Sequence, residues 1–303
     1  MSELPATASG LRPDLAELIA LREAVRAWPP ARRAARSTHG PASSALRGRG
    51  MEYAESRPYS PGDEVRHIDW RVTARTGRAH TKLFHAERER VTLLVCDTDP
   101  RLYFGTRARF KSVQAARAGA LLAWAAQRAG DRVAALRGSR GEAPVAPAGG
   151  ARGVLHVLGA LARWYAGPPA ADDGLDHALR NAARLLHPGA RVLLLADPHS
   201  LRDVPDARLA ALSAHMDVAC VLLADPLELD PPVARLPIQA AQRHELDLGD
   251  GRVRAAWMET FAARLDAAQA RLTRLRVGCR VLRSDDPIEP LLSLWQARQA
   301  EVA

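Results

Sequence analysis

The chain contains little cysteine, and its three cysteines show no metal-binding or disulfide spacing. Cys96, Cys220 and Cys279 lie in separate apolar runs, and no C-x-x-C pair occurs among the 303 residues. The pattern argues against a disulfide framework and against a cysteine-based zinc site, so we expect buried free thiols in a reducing compartment. The first ten residues lack the apolar core of a secretory signal, and no apolar run is long enough to cross a bilayer. The sequence therefore predicts a cytoplasmic protein.

Lysine is nearly absent. Lys82 and Lys111 are the only lysines among 43 basic residues, so arginine supplies almost all of the formal net charge of +9. A positive excess suits an acidic partner, nucleic acid or an anionic membrane surface. An alanine-, arginine- and proline-rich proteome would give the same excess, and no basic run interleaved with aromatic residues indicates nucleic-acid recognition. The charge alone identifies no partner.

The chain divides by pattern into three parts. Residues 1–37 contain an amphipathic helix over 14–28, ended by Pro29-Pro30, and the start of a basic arm. Residues 38–90 are predicted to form a β-rich extension of short extended pieces joined by turns, with the clearest strand at 81–85. Residues 91–303 alternate between apolar strands and helices, which predicts an α/β domain with a doubly wound, mostly parallel sheet.

Three apolar runs in the third part predict strands that are buried on both faces, at 91–96, 191–196 and 218–223. Helices are predicted at 110–128, 154–164, 175–186, 209–215 and 257–275, with short strands at 132–136 and 143–145. A hairpin is predicted over 244–255 around Gly249-Asp250-Gly251, because such residues favour tight turns. A last strand at 277–282 and a closing helix at 288–299 complete the pattern.

Each of the three apolar strands is followed by aspartate. Asp97, Asp99, Asp197 and Asp225 stand where open α/β sheets place their ligands, beyond the carboxyl ends of the strands. Carboxylate oxygens in such a crevice suit Mg²⁺. The alternative is that each aspartate caps the following turn or helix, and for Asp225 we favour this alternative.

A second constellation lies between residues 57 and 75. Pro61-Gly62 suits the central positions of a type II turn. Asp63 and Asp69 are expected to pair with nearby arginines, with Tyr59 and Trp70 packed beneath them. We interpret this as a structural network that locks the extension onto the α/β domain rather than as a catalytic site. Its members are Arg57, Tyr59, Gly62, Asp63, Arg66, Asp69, Trp70 and Arg75.

The same region carries a family resemblance. The segments at 48–53, 57–59, 61–63, 66, 68–70 and 74–75 closely resemble the signature of the domain of unknown function 58 family. The similarity is dense over 38–104 and thin beyond. It implies a von Willebrand factor A-like domain and a non-enzymatic adaptor that works with a MoxR-type AAA+ ATPase in assembling or activating a client protein. Many members carry transmembrane helices before the signature, and this chain resembles the soluble branch without them.

The resemblance also implies a place for a metal-ion-dependent adhesion site, built from an Asp-x-Ser-x-Ser loop, a threonine and a distal aspartate. Here the loop reads Asp97, Asp99 and Arg101, so both serines are missing. Asp172-Asp173-Gly174 stands where the threonine is expected, and Asp197 fits the distal position. We expect a degenerate, metal-free interaction face in which the Arg101 guanidinium takes the place of the cation. Mg²⁺ held by Asp97, Asp99 and Asp197 is the alternative. The predicted face comprises Asp97, Asp99, Arg101, Asp173, Asp197 and Ser200.

Two other functions are considered. The apolar strand before Asp97-Thr98-Asp99 also resembles the first motif of haloacid-dehalogenase phosphatases, with Asp97 as nucleophile, Asp99 as general acid and base, and Mg²⁺ as cofactor. That chemistry needs a lysine, and we expect neither lysine to be suitably placed. A nonspecific nucleic-acid binder is the third alternative, with binding that weakens steeply with salt. Its arm would comprise Arg32, Arg33, Arg36, Arg47 and Arg49.

Overall fold

The computed structural model describes residues 10–29, 51–60, 63–86, 90–239 and 243–294. The helices are α1 (Leu15–Ala27), α2 (Trp70–Thr76), α3 (Lys111–Arg128), α4 (Gly150–Trp164), α5 (Gly174–Leu185), α6 (Pro198–Arg202), α7 (Asp206–His215), α8 (Pro226–Leu229) and α9 (Gly251–Arg274). The strands are β1 (Met51–Pro58), β2 (His80–Ala86), β3 (Val91–Cys96), β4 (Arg132–Arg137), β5 (Val145–Ala148), β6 (Arg191–Ala196), β7 (Asp217–Ala224), β8 (Arg235–Gln239), β9 (Arg243–Asp247) and β10 (Gly278–Arg283). Of the helices described, none has the length and apolar content needed to cross a membrane.

The chain forms two compact units. One unit comprises Ser37–Glu89, and the other combines the N-terminal segment with the chain from Arg90 onward. In the smaller unit, β1 and β2 form an antiparallel pair, and α2 lies in the connection between them. The strand predicted at 81–85 is confirmed as part of β2.

Helix α2 corrects the prediction that this region holds only extended pieces and turns. Asp69 caps its first turn, because the Asp69 Oδ1 accepts hydrogen bonds from the amides of Arg71 and Val72 at 3.1 and 3.2 Å. Gly77 ends the helix in a left-handed conformation with φ of 70°, which glycine adopts without steric cost. An N-cap aspartate and a glycine after the last turn are the local signals that define this helix.

The larger unit contains a six-stranded sheet with the order β10-β7-β6-β3-β4-β5. The first five strands are parallel, and only β5 pairs antiparallel, with β4. The predicted doubly wound, mostly parallel α/β fold is confirmed. The short strand predicted at 143–145 is displaced to Val145–Ala148.

Alternate residues of the central strands point to opposite faces of the sheet. Leu94 and Cys96 of β3 belong to a core formed with α1, α3 and α4, whereas Leu93 and Val95 belong to a second core with α5, α7 and α9. Because each strand is covered on both faces, the runs of β3, β6 and β7 are almost wholly apolar. Cys96 and Cys220 are buried and Cys279 is partly buried, and all three thiols are free.

The strand order reverses between β3 and β6. From β3 the chain proceeds outward to β4 and β5, and it then returns to place β6 on the other side of β3. Such a reversal leaves a crevice at the carboxyl ends of the two strands, where α/β proteins bind their ligands. Asp97 follows β3 and Asp197 follows β6, so both aspartates lie at this crevice.

The hairpin prediction over residues 244–255 is wrong. The observed hairpin joins β8 to β9 and lies earlier in the chain. Asp250 instead caps α9, because its Oδ1 accepts the Arg252 amide at 2.7 Å. The predicted amphipathic helix at 257–275 is confirmed and begins earlier, at Gly251. Of the closing helix predicted at 288–299, the described part contains a 3-10 turn at Glu289–Leu291, and the end of the segment lies outside the described residues.

Candidate interaction face at the carboxyl edge of the sheet

Asp97 is buried and held by backbone amides. Its Oδ1 accepts from the amide of Asp99 at 3.0 Å, and its Oδ2 accepts from the amide of Asp197 at 2.9 Å. Burial raises the pKa of Asp97 to about 7, although the two amide bonds act in the opposite direction. Asp97 therefore ties the loop after β3 to the loop after β6. Ser200, predicted as part of the face, is buried, and its hydroxyl makes no hydrogen bond within the described residues.

A buried lysine lies next to this junction. Lys111, the first residue of α3, is 1% exposed, and its Nζ is 2.7 Å from the Asp197 Oδ2 and 2.7 Å from the Glu228 Oε1. Burial opposes the charge of the lysine, but the two carboxylates outweigh it and raise the pKa of Lys111. We call Lys111, Asp197 and Glu228 the lysine triad. It places a fixed ammonium ion at the carboxyl edge of the sheet.

The triad corrects the expectation for Arg101. The Nη1 of Arg101 lies 3.1 and 3.0 Å from the two carboxylate oxygens of Asp99, and the Arg101 side chain is about half exposed. Among the residues that the structure describes, no guanidinium binds Asp97. Lys111 supplies the buried cation instead, because it begins a helix whose N-terminal end faces the crevice. Lys111 thus lies at the predicted crevice, but it pairs with Asp197 and Glu228 rather than with Asp97, the candidate nucleophile of the phosphatase alternative.

The segment after α4 contributes to a neighbouring part of the edge. Asp172 accepts the Thr98 hydroxyl at 2.6 Å and the Gly174 amide at 2.7 Å. Asp173, predicted as part of the face, accepts the Arg140 amide at 2.8 Å and pairs with the Arg140 side chain at 3.3 Å. Both of these contacts join Asp173 to the turn after β4 rather than to Asp97.

Asp225 is a fully buried junction at the end of β7. Its side chain caps α8 by accepting the Leu227 amide at 3.0 Å, and the Glu228 Oε2 in turn accepts the Asp225 amide at 2.8 Å. The Asp225 carboxylate also accepts the Thr106 hydroxyl at 2.5 Å and the Ser284 hydroxyl at 2.6 Å. The capping role predicted for Asp225 is confirmed, and the capping box also positions Glu228 for Lys111.

The residues at this edge do not fit a magnesium site. The two oxygens of Asp97 accept amides, those of Asp197 accept the His199 amide and Lys111, and Asp99 is paired with Arg101. Within the described ranges, no group of three or more His, Cys, Asp or Glu side chains is arranged to hold a metal ion. Mg²⁺ requires near-octahedral oxygen ligands, and here the carboxylates are engaged by other donors.

The signature network is only partly as predicted. Asp63 pairs with Arg57 at 2.7 Å and accepts the Ser60 amide at 2.9 Å, and this amide is the main cause that lowers the pKa of Asp63. No arginine of the described ranges pairs with Asp69, whose Oδ2 accepts the Ser56 hydroxyl at 2.8 Å. The Ser56 bond is the main cause that lowers the pKa of Asp69.

The remaining members of the network are placed as follows. Trp70 is 68% exposed, which contradicts the expectation that it packs beneath the acids. Arg66 and Arg75 are exposed, and Tyr59 is half-buried. Gly62, the predicted turn at Pro61-Gly62 and the basic arm lie outside the described residues. The role of the network in locking the extension onto the α/β domain stays a prediction.

The sequence analysis missed the lysine triad, although two signals were present. Only two lysines occur among so many arginines, and one of them begins α3 at the sheet edge. The spacing of Asp225 and Glu228 is that of a capping box, which fixes the direction of the glutamate. The pairing itself depends on segments far apart in the chain, so neither signal alone predicts it.

Comparison with known proteins gives one family. The sequence profile described as "Protein of unknown function DUF58" matches residues 55–266. Uncharacterized proteins from Mycobacterium bovis and from two strains of Mycobacterium tuberculosis are each 30% identical to the chain over 262 residues. The alignments cover 84% of this chain and 78% of each relative.

Proposed function

We propose that the chain, which belongs to the DUF58 family of proteins of unknown function, is a non-enzymatic interaction protein. Its proposed contact face is the carboxyl edge of the sheet. The observation that carries the proposal is the buried Lys111 ammonium between Asp197 and Glu228. This ammonium lies at the crevice where the resemblance to a von Willebrand A-like domain implies a metal, and we propose that it takes the place of that metal. The proposed face is therefore metal-free and preformed.

The chemistry of Asp97 supports an interaction role over the phosphatase alternative. A nucleophilic aspartate must reach the phosphorus of its substrate. Asp97 is 3% exposed, and both of its oxygens accept backbone amides. Lys111 pairs with Asp197 and Glu228 rather than with Asp97. These contacts favour a structural role for Asp97.

For the partner, we propose a MoxR-type AAA+ ATPase together with a client protein, acting in the cytoplasm. Support comes from the resemblance of the signature segment, and from an edge of the sheet that exposes Asp99 and Arg101 around a rigid, buried core. The nucleic-acid alternative depends on an arm outside the described residues, and no observation favours it.

The proposal predicts that exchanging the exposed charge at Arg101 disrupts partner binding. The tagged protein is used to recover partners from its own cytoplasm with and without ATP and Mg²⁺, and the partners are identified by mass spectrometry. We expect recovery of a AAA+ ATPase by the wild-type chain. We expect the Arg101→Glu variant to lose at least about tenfold of it, corresponding to about 1.4 kcal/mol, because the new carboxylate reverses the charge of the face.

The matched control is Arg184→Glu, which makes the same charge change at an exposed position in the last turn of α5. It should leave recovery unchanged. Recovery of no ATPase by the wild-type chain contradicts the proposed partner. Equal loss in both arginine variants would show a general effect of charge and would contradict the proposed face.

A further inference from the structure

An apolar cavity opens at the carboxyl edge of the sheet, beside the lysine triad. Its volume is about 350 Å³, and Lys111, Asp197 and Glu228 lie along it. Its walls come from the loop after β3, from α6 and α8, and from one face of α9. The apolar wall residues are Phe104, Pro198, Leu229, Trp257, Phe261 and Leu265. A cavity of roughly 150 Å³ accepts a benzene ring, so this cavity is large enough for an aromatic side chain and part of its neighbours.

The aromatic wall is held in place without a ligand. The Trp257 Nε1 donates to the Leu227 carbonyl at 2.8 Å, which attaches α9 to α8. The rings of Trp257 and Phe261 pack with centroids 4.8 Å apart. A preformed wall lowers the ordering cost of binding.

Two arginines, Arg101 and Arg264, line the mouth of the cavity. Burial and the nearby charges of Arg101, Arg202 and Arg264 lower the pKa of His199. The Arg264 guanidinium lies 5.3 Å from the centre of the Phe261 ring, and among the described residues it has no acidic partner. The rim therefore carries a cation that is free to bind an acidic group.

The floor of the cavity, in contrast, disfavours a further negative charge. The triad combines one ammonium with two carboxylates, so a third carboxylate placed deep in the cavity would meet like charge. An occupant is therefore oriented with its apolar group inside and its acidic group at the rim. The two arginines of the rim come from separate elements: Arg101, which uses only its Nη1 to bind Asp99, from the loop after β3, and Arg264 from α9. This spread suits an extended segment with acids on both sides of the apolar group better than a small molecule with a single carboxylate.

We propose that this cavity binds a segment of a partner protein in which a large apolar side chain is flanked by aspartate or glutamate. The apolar side chain fills the space between Trp257, Phe261 and Leu265. The flanking carboxylates bind Arg264 and Arg101. The inference rests on the proposed function, because it specifies the chemistry of the partner at the same face.

The test is a titration of the isotope-labelled full chain, followed by NMR, with the blocked peptide acetyl-Gly-Asp-Phe-Asp-Gly-amide. We expect saturable shifts of the cavity residues. Two matched peptides, one with alanine in place of phenylalanine and one with asparagine in place of both aspartates, should each bind at least about tenfold more weakly. Phenylacetate, a small acid with the same ring, should also bind more weakly than the first peptide.

Two variants test the site within the protein. Arg264→Gln should weaken the Asp-Phe-Asp peptide at least about tenfold and leave the asparagine peptide unaffected. Leu229→Trp, which fills the cavity, should weaken both peptides. The control Arg252→Gln removes an exposed arginine from the first turn of the same helix and should change neither. Melting temperatures establish that each variant is folded.

The outcomes separate this inference from the proposed function. Failure of the peptide to bind, or equal binding of the three peptides, overturns the inference even when a AAA+ ATPase is recovered in an Arg101-dependent manner. Phenylacetate that binds as tightly as the peptide would make the cavity a small-molecule site and would overturn the proposed segment. Peptide binding that depends on Arg264, without recovery of an ATPase, supports the inference and contradicts only the proposed ATPase partner.

Discussion

Replacing Lys111 with methionine is expected to destabilise the larger unit by about 3–5 kcal/mol, the usual effect of removing one partner from a buried ion pair. Methionine preserves most of the side-chain volume but removes the ammonium. Asp197 and Glu228 then lose a hydrogen-bond donor at 2.7 Å each and face one another without a cation. Urea unfolding of the wild-type chain and the variant at pH 7 measures the difference.

The same variant should show a characteristic pH dependence. Burial already raises the pKa of Glu228, even with Lys111 present. Without the lysine, the folded state gains stability by binding protons as the pH falls from 7 towards the ordinary range of glutamate, near 4.3. The deficit of the variant relative to wild type should therefore shrink at pH 5. In the wild-type chain Lys111 stays charged throughout this range, because its pKa is raised.

Two further variants check the cause. Adding Glu228→Gln to Lys111→Met removes one of the two unpaired charges and should restore part of the stability. Lys82→Met changes the only other lysine, in the smaller unit, and should leave the larger unit unaffected. A Lys111→Met variant as stable as wild type at pH 7 would contradict the account of the triad.

Replacing Asp225 with alanine is expected to have an effect of similar size, about 3 kcal/mol or more. The substitution leaves two buried donors, the Ser284 hydroxyl and the Leu227 amide, without their acceptor, and the exposed Thr106 loses its hydrogen bond as well. Each buried donor left unsatisfied costs about 1–3 kcal/mol, and these costs are not strictly additive. Loss of the Asp225 side chain also removes the N-terminal cap of α8, the helix that positions Glu228.

Asp250→Ala is the matched control for Asp225→Ala. Asp250 has the same role at the N-terminus of α9, but it is exposed and its side chain accepts a single amide. Its loss should cost about 1 kcal/mol, as for an ordinary helix cap. Equal effects of the two substitutions in urea unfolding would show that Asp225 is only a cap and would contradict its role as a junction.

Much of the fold was predictable because the strands at the centre of the sheet carry a strong local signal. The apolar runs of β3, β6 and β7 each end in an aspartate, and topology then places Asp97 and Asp197 at one crevice. Short elements were harder to predict. Asp69 lies among arginines, which favours an ion pair, although its position before Trp70 is that of a helix cap. Asp250 lies between two glycines, which favours a turn, although it too caps a helix.

The arrangement of the candidate face was not predictable from spacing. Arg101 follows Asp99 by two positions in the chain, and this closeness favours Arg101 as the source of the cation. In the structure, the buried cation at this edge of the sheet is Lys111, whose partners Asp197 and Glu228 lie 86 and 117 positions away in the chain. A lysine at the N-terminal end of a helix is unfavourable for the helix dipole unless carboxylates compensate. That compensation is visible only once the strand ends are brought together.

The central claim is that the ammonium of Lys111 takes the place of a metal ion at this face, and a magnesium titration of the purified wild-type chain by isothermal calorimetry tests it most directly. The account predicts no saturable heat of binding at millimolar Mg²⁺, with the heats matching those of dilution. Saturable binding of one equivalent that disappears in an Asp99→Ala variant would contradict it, since the carboxylates would then be available to a metal.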